Sequence, residues 1–268
     1  MQESPAPILH DSLPFLVWME PKLARLPGIQ PLDMNDWLRI DEAYEAQMAE
    51  RERLIATIPE RVHALLPQAE DAAQELTAMI ASRLPALGFR REGTAWRCPD
   101  GRLVRDAQEA PLINLGRLLQ DDFCILQEGP QGSHILTGAI LCFPASWTLA
   151  QKIGRNLIGI HDPVAEYDGN IARRVQRLFD AIHPDRPLWR ANALAYADPA
   201  LFQPRREGEA RSAADAADGF IRSERQCLLR LTRTRAVVFS IHTYQIARTG
   251  LSTEANAAYE RHHAPASG

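Results

Sequence analysis

The chain carries only four cysteines among its 268 residues. Cys98, Cys124, Cys142 and Cys227 form no CxxC pair and, scattered as they are, do not make a zinc site. Cys124 and Cys142 sit inside apolar runs, so the thiols are expected to be reduced and buried as small hydrophobes. No apolar run approaches about 18 residues, so no membrane-crossing helix is expected. The N-terminus, Met1-Gln-Glu-Ser-Pro5, lacks the basic and apolar regions of a secretory leader. The expected compartment is therefore the cytoplasm. Neither charge sign dominates: 30 Lys and Arg against 34 Asp and Glu give a net charge of −4. That balance offers nothing to nucleic acid or to an anionic membrane surface. There is no GxGxxG after a strand pattern and no GxxxxGK[ST], hence no nucleotide phosphate cradle. HExxH and GxSxG are missing too, and neither an internal repeat nor a low-complexity run is present.

What is present is an ordinary globular composition, 46% hydrophobic and 24% charged, long enough to bury a core without disulfides or structural metal. Residues 1–32 are rich in proline and predict an extended arm. Phe15, Val17 and Trp18 within it would be costly to leave in water, so the arm should pack on the body. Residues 33–88 read as a helical region. Asp33 is a candidate cap, and Trp37, Ile40, Ala43, Tyr44 and Met48 recur at helical spacing, predicting a helix over 35–58. A second helix is expected after Pro67, ending near Leu84.

Residues 89–250 read as a sheet domain. Two short strands flank Pro99-Asp-Gly101, a short helix spans 111–120, and strand patterns over 122–127 and 134–143 are joined by a turn-rich loop. A helix over 171–182 precedes a strand over 188–195. Residues 204–219 read as a mobile loop, and 220–231 with 236–244 form a closing hairpin. The tail, 251–268, is a short helix at most, and its His262-His263 pair reads as a terminal feature rather than a metal site. Strands joined by short turns point to an antiparallel sheet and an α+β fold, with a curved sheet, inserted helices and a helical N-terminal region.

The candidate functional residues lie beside strand ends. An apolar strand ends at Phe143-Pro144, a short helix pattern with Lys152 and Arg155 follows, and His161 arrives two residues before Pro163. That order sets one imidazole on stiff backbone near the mouth of a sheet. It serves either as a ligand or as a loop histidine bonded to a carbonyl. Arg190 lies on a strand with Trp189 on the opposite face, and alternation sends Glu224 and Gln226 to one face and Arg225 to the other. Tyr244 ends the last strand, either at a pocket rim or as an amphipathic rim aromatic.

Several segments in fixed order resemble one family. They are Pro31-Leu-Asp-Met-Asn-Asp-Trp-Leu-Arg-Ile-Asp41, Leu118-Leu-Gln-Asp-Asp-Phe-Cys-Ile-Leu126, Cys142-Phe-Pro-Ala-Ser-Trp147, Lys152-Ile-Gly-Arg155 and Ile160-His-Asp-Pro-Val164. Arg186-Pro-Leu-Trp-Arg-Ala-Asn192, Ser223-Glu-Arg-Gln-Cys-Leu-Leu-Arg-Leu231 and Val238-Phe-Ser-Ile-His-Thr-Tyr244 follow. Together they are similar to the heme-dependent oxidative N-demethylases, the family of the heme subunit of dimethylamine monooxygenase. The resemblance implies a PAS-like sheet holding heme b. It also implies oxidative removal of a methyl group from a small secondary amine, with dioxygen and electrons from a separate reductase or ferredoxin-type donor. By the same resemblance His161 is the axial iron ligand, and Lys152, Arg155, Arg190 and His242 are cofactor contacts; the residues alone equally allow a solvated helix face for Lys152 and Arg155 and a cross-strand salt bridge for Arg190. Arg190, Glu224 and Tyr244 are the implied catalytic residues, with Glu224 a candidate for binding an ammonium group. The alternatives are a non-catalytic heme sensor and a heme-less homologue. The sequence departs from the family at Ala193, where a tryptophan is usual, and at His242, where an arginine is usual. A lost indole would enlarge the pocket, and His242 changes charge and reach near neutral pH.

Overall fold

The structure is a computed structural model. It describes residues 6–25, 27–106, 110–130, 132–161, 169–209 and 219–263; the side chains of residues 161 and 169–174 lie outside that description. In chain order the elements are α1 (Pro21–Ala24), β1 (Gln30–Pro31), α2 (Tyr44–Thr57), α3 (Pro59–Val62), β2 (His63–Leu65) and α4 (Glu70–Ala81). Next come β3 (Arg90–Glu92), β4 (Ala95–Arg97), β5 (Leu103–Arg105), α5 (Pro111–Leu118), β6 (Asp122–Glu128) and β7 (His134–Ile140). The remainder is α6 (Leu149–Lys152), α7 (Leu157–His161), α8 (Gly169–Ala181), β8 (Leu188–Tyr196), β9 (Phe220–Arg230), β10 (Val237–Ala247) and α9 (Thr253–His263).

Seven strands form one curved antiparallel sheet in the order β1-β8-β9-β10-β6-β7-β2, and β3-β4-β5 form a small second one. The fold is α+β, as the strand patterns indicate. Both edges of the large sheet are very short, β1 with two residues and β2 with three, which limits edge-to-edge pairing. The long β9–β10 hairpin turns through Arg235 at φ 61, and a bulge at Ile125/Leu126 kinks β6 against β7.

The expected helix over 35–58 begins only at Tyr44. Asp33 caps no more than a short turn at Met34–Asp36, its carboxylate accepting the Asn35 amide. Beyond it, Arg39 binds back to Asp36 at 2.9 Å, and the Asp41 carboxylate accepts the Ala43 amide, a local turn that competes with helix. Trp37 is drawn under the sheet, where its indole donates to Ser240 Oγ at 2.8 Å. Tertiary burial overrides the helical period here. The single strand expected over 90–98 is split at a Gly93 turn into β3 and β4, and the tail forms the eleven-residue α9, which caps the arm through Tyr259. All four cysteines are buried and free.

Cross-strand register divides the sheet into two faces. Leu188, Arg190, Asn192 and Leu194 of β8 share one face with Leu228, Gln226, Glu224 and Arg222 of β9, and with Phe239, Ile241 and Thr243 of β10. The connecting helices cover this face: Leu149 of α6, Leu157 of α7 and Phe179 of α8 pack with Leu126, Leu136, Leu228 and Ile241. Trp189, Ala191, Ala193, Arg225, Cys227, His242 and Tyr244 lie on the other face. There α2, α4 and α5 pack against Phe123, Ile125, Leu229 and Val238, and the arm packs against Ala191, Ala193 and Tyr244 through Phe15, Val17 and Trp18. The expectation that the arm docks on the body is met by this cluster. Close packing is visible at Gly116 of α5, where a Cβ would stand 2.7 Å from Ile140 Cγ1. Among the described residues no helix is long and apolar enough to cross a membrane.

Candidate functional site

On the helix-covered face, β8 and β9 present a file of polar groups amid apolar neighbours. Glu224 is buried, and its Oε2 accepts from Asn192 at 3.2 Å and from Gln226 at 3.0 Å, while Oε1 accepts from Arg222 at 3.2 Å. Arg222 also donates to the carbonyls of Leu201 and Phe143, which ties the end of the β7 segment to β9. Arg190 stands opposite Gln226 and diagonal to Glu224. Its Nε is buried with no hydrogen-bond partner. Burial pushes its pKa down, and the Glu224 carboxylate pulls the other way. The guanidinium stays charged in this setting, since arginine does not release its proton.

Beside this file lie α6 and α7. Lys152 is buried, and its ammonium donates to the Ile160 carbonyl at 2.6 Å and to Glu207 Oε1 at 2.6 Å. Arg155 reaches both Glu207 oxygens, at 3.0 and 3.2 Å. The two residues expected to meet a cofactor carboxylate are therefore engaged by Glu207, a side chain in the segment expected to be mobile. Residues 203–209 are instead laced to 144–155, with Gln203 pairing beside Ala145 and Thr148 donating to the Arg205 carbonyl at 2.9 Å. Residues 210–218 lie outside the described residues. His161 closes α7, one residue after the carbonyl that Lys152 binds, and its side chain also lies outside them.

His242 and Tyr244 do not join this group. Strand alternation puts them on the opposite face, so a single site containing Arg190, Glu224, His242 and Tyr244 is corrected by the sheet itself. His242 lies fully inside a polar cluster under the arm. Its ring faces Asp41 Oδ2 at 2.8 Å through Nε2 and Asp121 Oδ2 at 3.2 Å through Nδ1. Burial alone would lower its pKa, but the carboxylates of Asp121 and Asp41 overcome burial and raise it to about 9. Asp41 also meets His10 at 3.1 Å and Gln120 at 2.6 Å; despite its burial, these bonds hold it well below the usual carboxylate range. The Tyr244 ring lies 4.7 Å from that of His242 at a tilt of 37°, and burial pushes its hydroxyl up to about 12. It borders a cleft of about 470 Å³ with Arg39, His10 and Asp41.

Ala193 belongs to this same opposite face, buried beside Phe15 and Trp18. Both sequence departures thus lie on the arm side. The space a larger side chain would take is filled by the arm, and the place of a cation is taken by His242 between two carboxylates. The helix-covered face is untouched by either change.

Sequence reasoning missed Arg222, Glu207, Asp121 and His10. Arg222 was available from alternation, two residues before Glu224, and Asp121 from the Asp-Asp pair that opens β6. Glu207 and His10 carried no sequence signal, because their partners are set only by the tertiary fold. Among the described residues no three His, Cys, Asp or Glu side chains converge to hold a metal ion.

The family model described as Haem-dependent oxidative N-demethylase, alpha subunit-like, matches residues 28–265. That span takes in the whole large sheet, both of its faces and the helices that cover them. The chain belongs to this family of haem-dependent oxidative N-demethylase alpha subunit-like proteins.

Proposed function

We propose that this chain is the heme-binding, amine-oxidising subunit of an N-demethylase. A small secondary amine, dioxygen, two electrons and two protons would give a primary amine, formaldehyde and water, with the electrons delivered by a separate reductase or ferredoxin-type protein. Heme b, when bound, supplies the oxidising chemistry.

The observation that carries the reading is Arg190, a partly buried cation on the helix-covered face with no hydrogen-bonded partner. Leu188, Leu228, Phe239 and Ile241 surround it on the same face with apolar surface. A macrocycle bearing carboxylates would offer that guanidinium a propionate. His161, at the end of the helix covering the same face, would hold the heme iron in this reading. Glu224 binds and orients the substrate. Its carboxylate is desolvated and held by three donors from Asn192, Gln226 and Arg222, so it is poised to take an ammonium N–H without moving. The helices over this face keep bulk water from the pair. Tyr244 and His242 support the arm side and do not touch substrate.

Hemin titration of the purified protein tests cofactor binding, with a Soret band at one equivalent expected. Dimethylamine, an NADPH-driven surrogate ferredoxin system and formaldehyde detection test the reaction. Glu224→Gln is expected to keep the Soret band and lose formaldehyde release by at least about a hundredfold. Wild-type protein that binds no hemin, or binds it and turns over as well without the Glu224 carboxylate, refutes the assignment.

A further inference from the structure

The Lys152 ammonium is nearly inaccessible to solvent, at 4% exposure, yet no carboxylate of its own element faces it. It bridges two segments that the sequence separates by about fifty residues: the last turn of α7, through the Ile160 carbonyl at 2.6 Å, and residues 203–209, through Glu207 at 2.6 Å. Arg155 holds the same Glu207 from the other side, and the Glu207 amide donates to Gln151 Oε1 at 3.1 Å. The stretch between α6 and α7 is itself fixed to β7, since the Leu136 amide donates to the Arg155 carbonyl at 3.0 Å and the Gly154 amide to the Leu136 carbonyl at 2.8 Å. The end of α7 and the 203–209 connection are thus drawn to a single buried nitrogen, and the backbone just after it is anchored to β7.

A five-residue helix has too few internal bonds to hold its own end. Its terminal carbonyls are orphans unless something donates to them, and a cation there also answers the helix dipole. We propose that Lys152, held by Glu207, is a positioning residue: it fixes the final turn of α7 and with it the backbone of His161. The proposal rests on His161 being the heme ligand, and it assigns Lys152 to the protein's own scaffold and not to a cofactor carboxylate.

The test compares Lys152→Met, which keeps the aliphatic stem and removes the donor, with Glu207→Ala and wild type. Amide exchange is measured first without hemin. Lys152→Met is expected to speed exchange at residues 157–161 at least about tenfold, the loss of one charge-assisted hydrogen bond, while leaving β9 and β10 unchanged. Glu207→Ala should show the same local pattern to a smaller degree, and it carries the test alone if Lys152→Met does not fold. Hemin is then added. The variants are expected to retain a Soret band but to release hemin roughly tenfold or more faster, with an altered low-spin to high-spin balance in the electron paramagnetic resonance spectrum. Unchanged exchange at α7 overturns the clamp. Faster exchange with wild-type hemin release and spectrum overturns its role in ligand positioning. Failure of the underlying reading looks different: His161→Ala would then bind hemin as wild type does, whatever the exchange data show.

Discussion

The polar cluster under the arm makes a prediction that can be worked through from its distances. His242 is buried between Asp41 and Asp121, with Tyr244, His10 and Arg39 as the other polar side chains around it. Burial opposes its charge and the two carboxylates favour it, so its pKa rises from 6.5 to about 9. A group that binds its proton more tightly when folded stabilises the fold fully below its unfolded pKa. That contribution fades as pH rises through the folded value. At about 1.4 kcal/mol per pH unit, the interval between the two pKa values is worth about 3 kcal/mol. Asp41 lies far below this window and Tyr244 near 12, above it, so neither changes charge within it. Urea unfolding of wild type and His242→Gln from about pH 6 to about pH 10 reads the effect. The wild-type curve should fall by about 3 kcal/mol across the window, while the variant, weaker by about 3 to 5 kcal/mol at neutral pH, should lack that step. A two-dimensional NMR titration of the imidazole should place its midpoint near 9. Parallel stability curves, or an imidazole titrating near 6.5, would show that the carboxylates do not hold the charge.

Three further outcomes follow from other contacts. Arg51 is wholly buried and donates to Asp122 at 2.8 Å and to the carbonyls of Gly116, Gln120 and Asp121; Arg51→Met should cost about 3 to 5 kcal/mol in urea unfolding, and adding Asp122→Asn should recover part of it. Equal losses for the single and double variants would count against a coupled pair. Gly116→Ala drives a methyl to 2.7 Å from Ile140 and 3.2 Å from Ile55, so thermal melting should show a loss of about 1 to 3 kcal/mol, relieved by Ile140→Val. Arg190→Met should weaken hemin binding while leaving cofactor-free stability equal to wild type or up to about 1 kcal/mol higher, because an unpaired buried charge is removed. A loss of stability without hemin would instead mark a structural ion pair with Glu224.

The long strands and α8 were legible because period and turn chemistry agree there: β6, β7, β9 and β10 are apolar or alternating runs punctuated by Gly-Pro and polar turns. Alternation alone also put Arg190 with its back to Trp189, and Glu224 with Gln226. The start of α2 was not legible. Trp37 fits a helical period equally well whether it sits on a helix or is pulled beneath a sheet by Ser240, and only the fold decides. Grouping His242 and Tyr244 with Glu224 failed for a related reason. Proximity in the sequence motifs says nothing about which face of the sheet a residue takes once the register of β10 against β9 is set. Lys152 and Arg155 read as cofactor contacts or a solvated helix face because Glu207 is remote in sequence and sits amid polar residues with no period.

The four arginines of the large sheet separate structural charge from functional charge. Arg222 spends its guanidinium on the Leu201 and Phe143 carbonyls and on Glu224. Arg225 binds the Trp37 and Asp36 carbonyls and the Asp36 carboxylate, and Arg230 closes the end of α8 through Phe179 and Ile182. Each is a desolvated cation whose cost, several kcal/mol, is offset by bonds within the chain. Arg190 has no such bond, and Glu224, the nearest carboxylate, gives its oxygens to Asn192, Gln226 and Arg222 instead. The proposed propionate contact of Arg190 rests on that difference. The same face keeps the Glu224 carboxylate, paired with the Arg222 guanidinium and with the amides of Asn192 and Gln226. In the proposed function an anion-bearing cofactor would pair with Arg190 and a cationic substrate would meet Glu224. The proposed chemistry therefore lies on the helix-covered face and not in the cleft beside Tyr244.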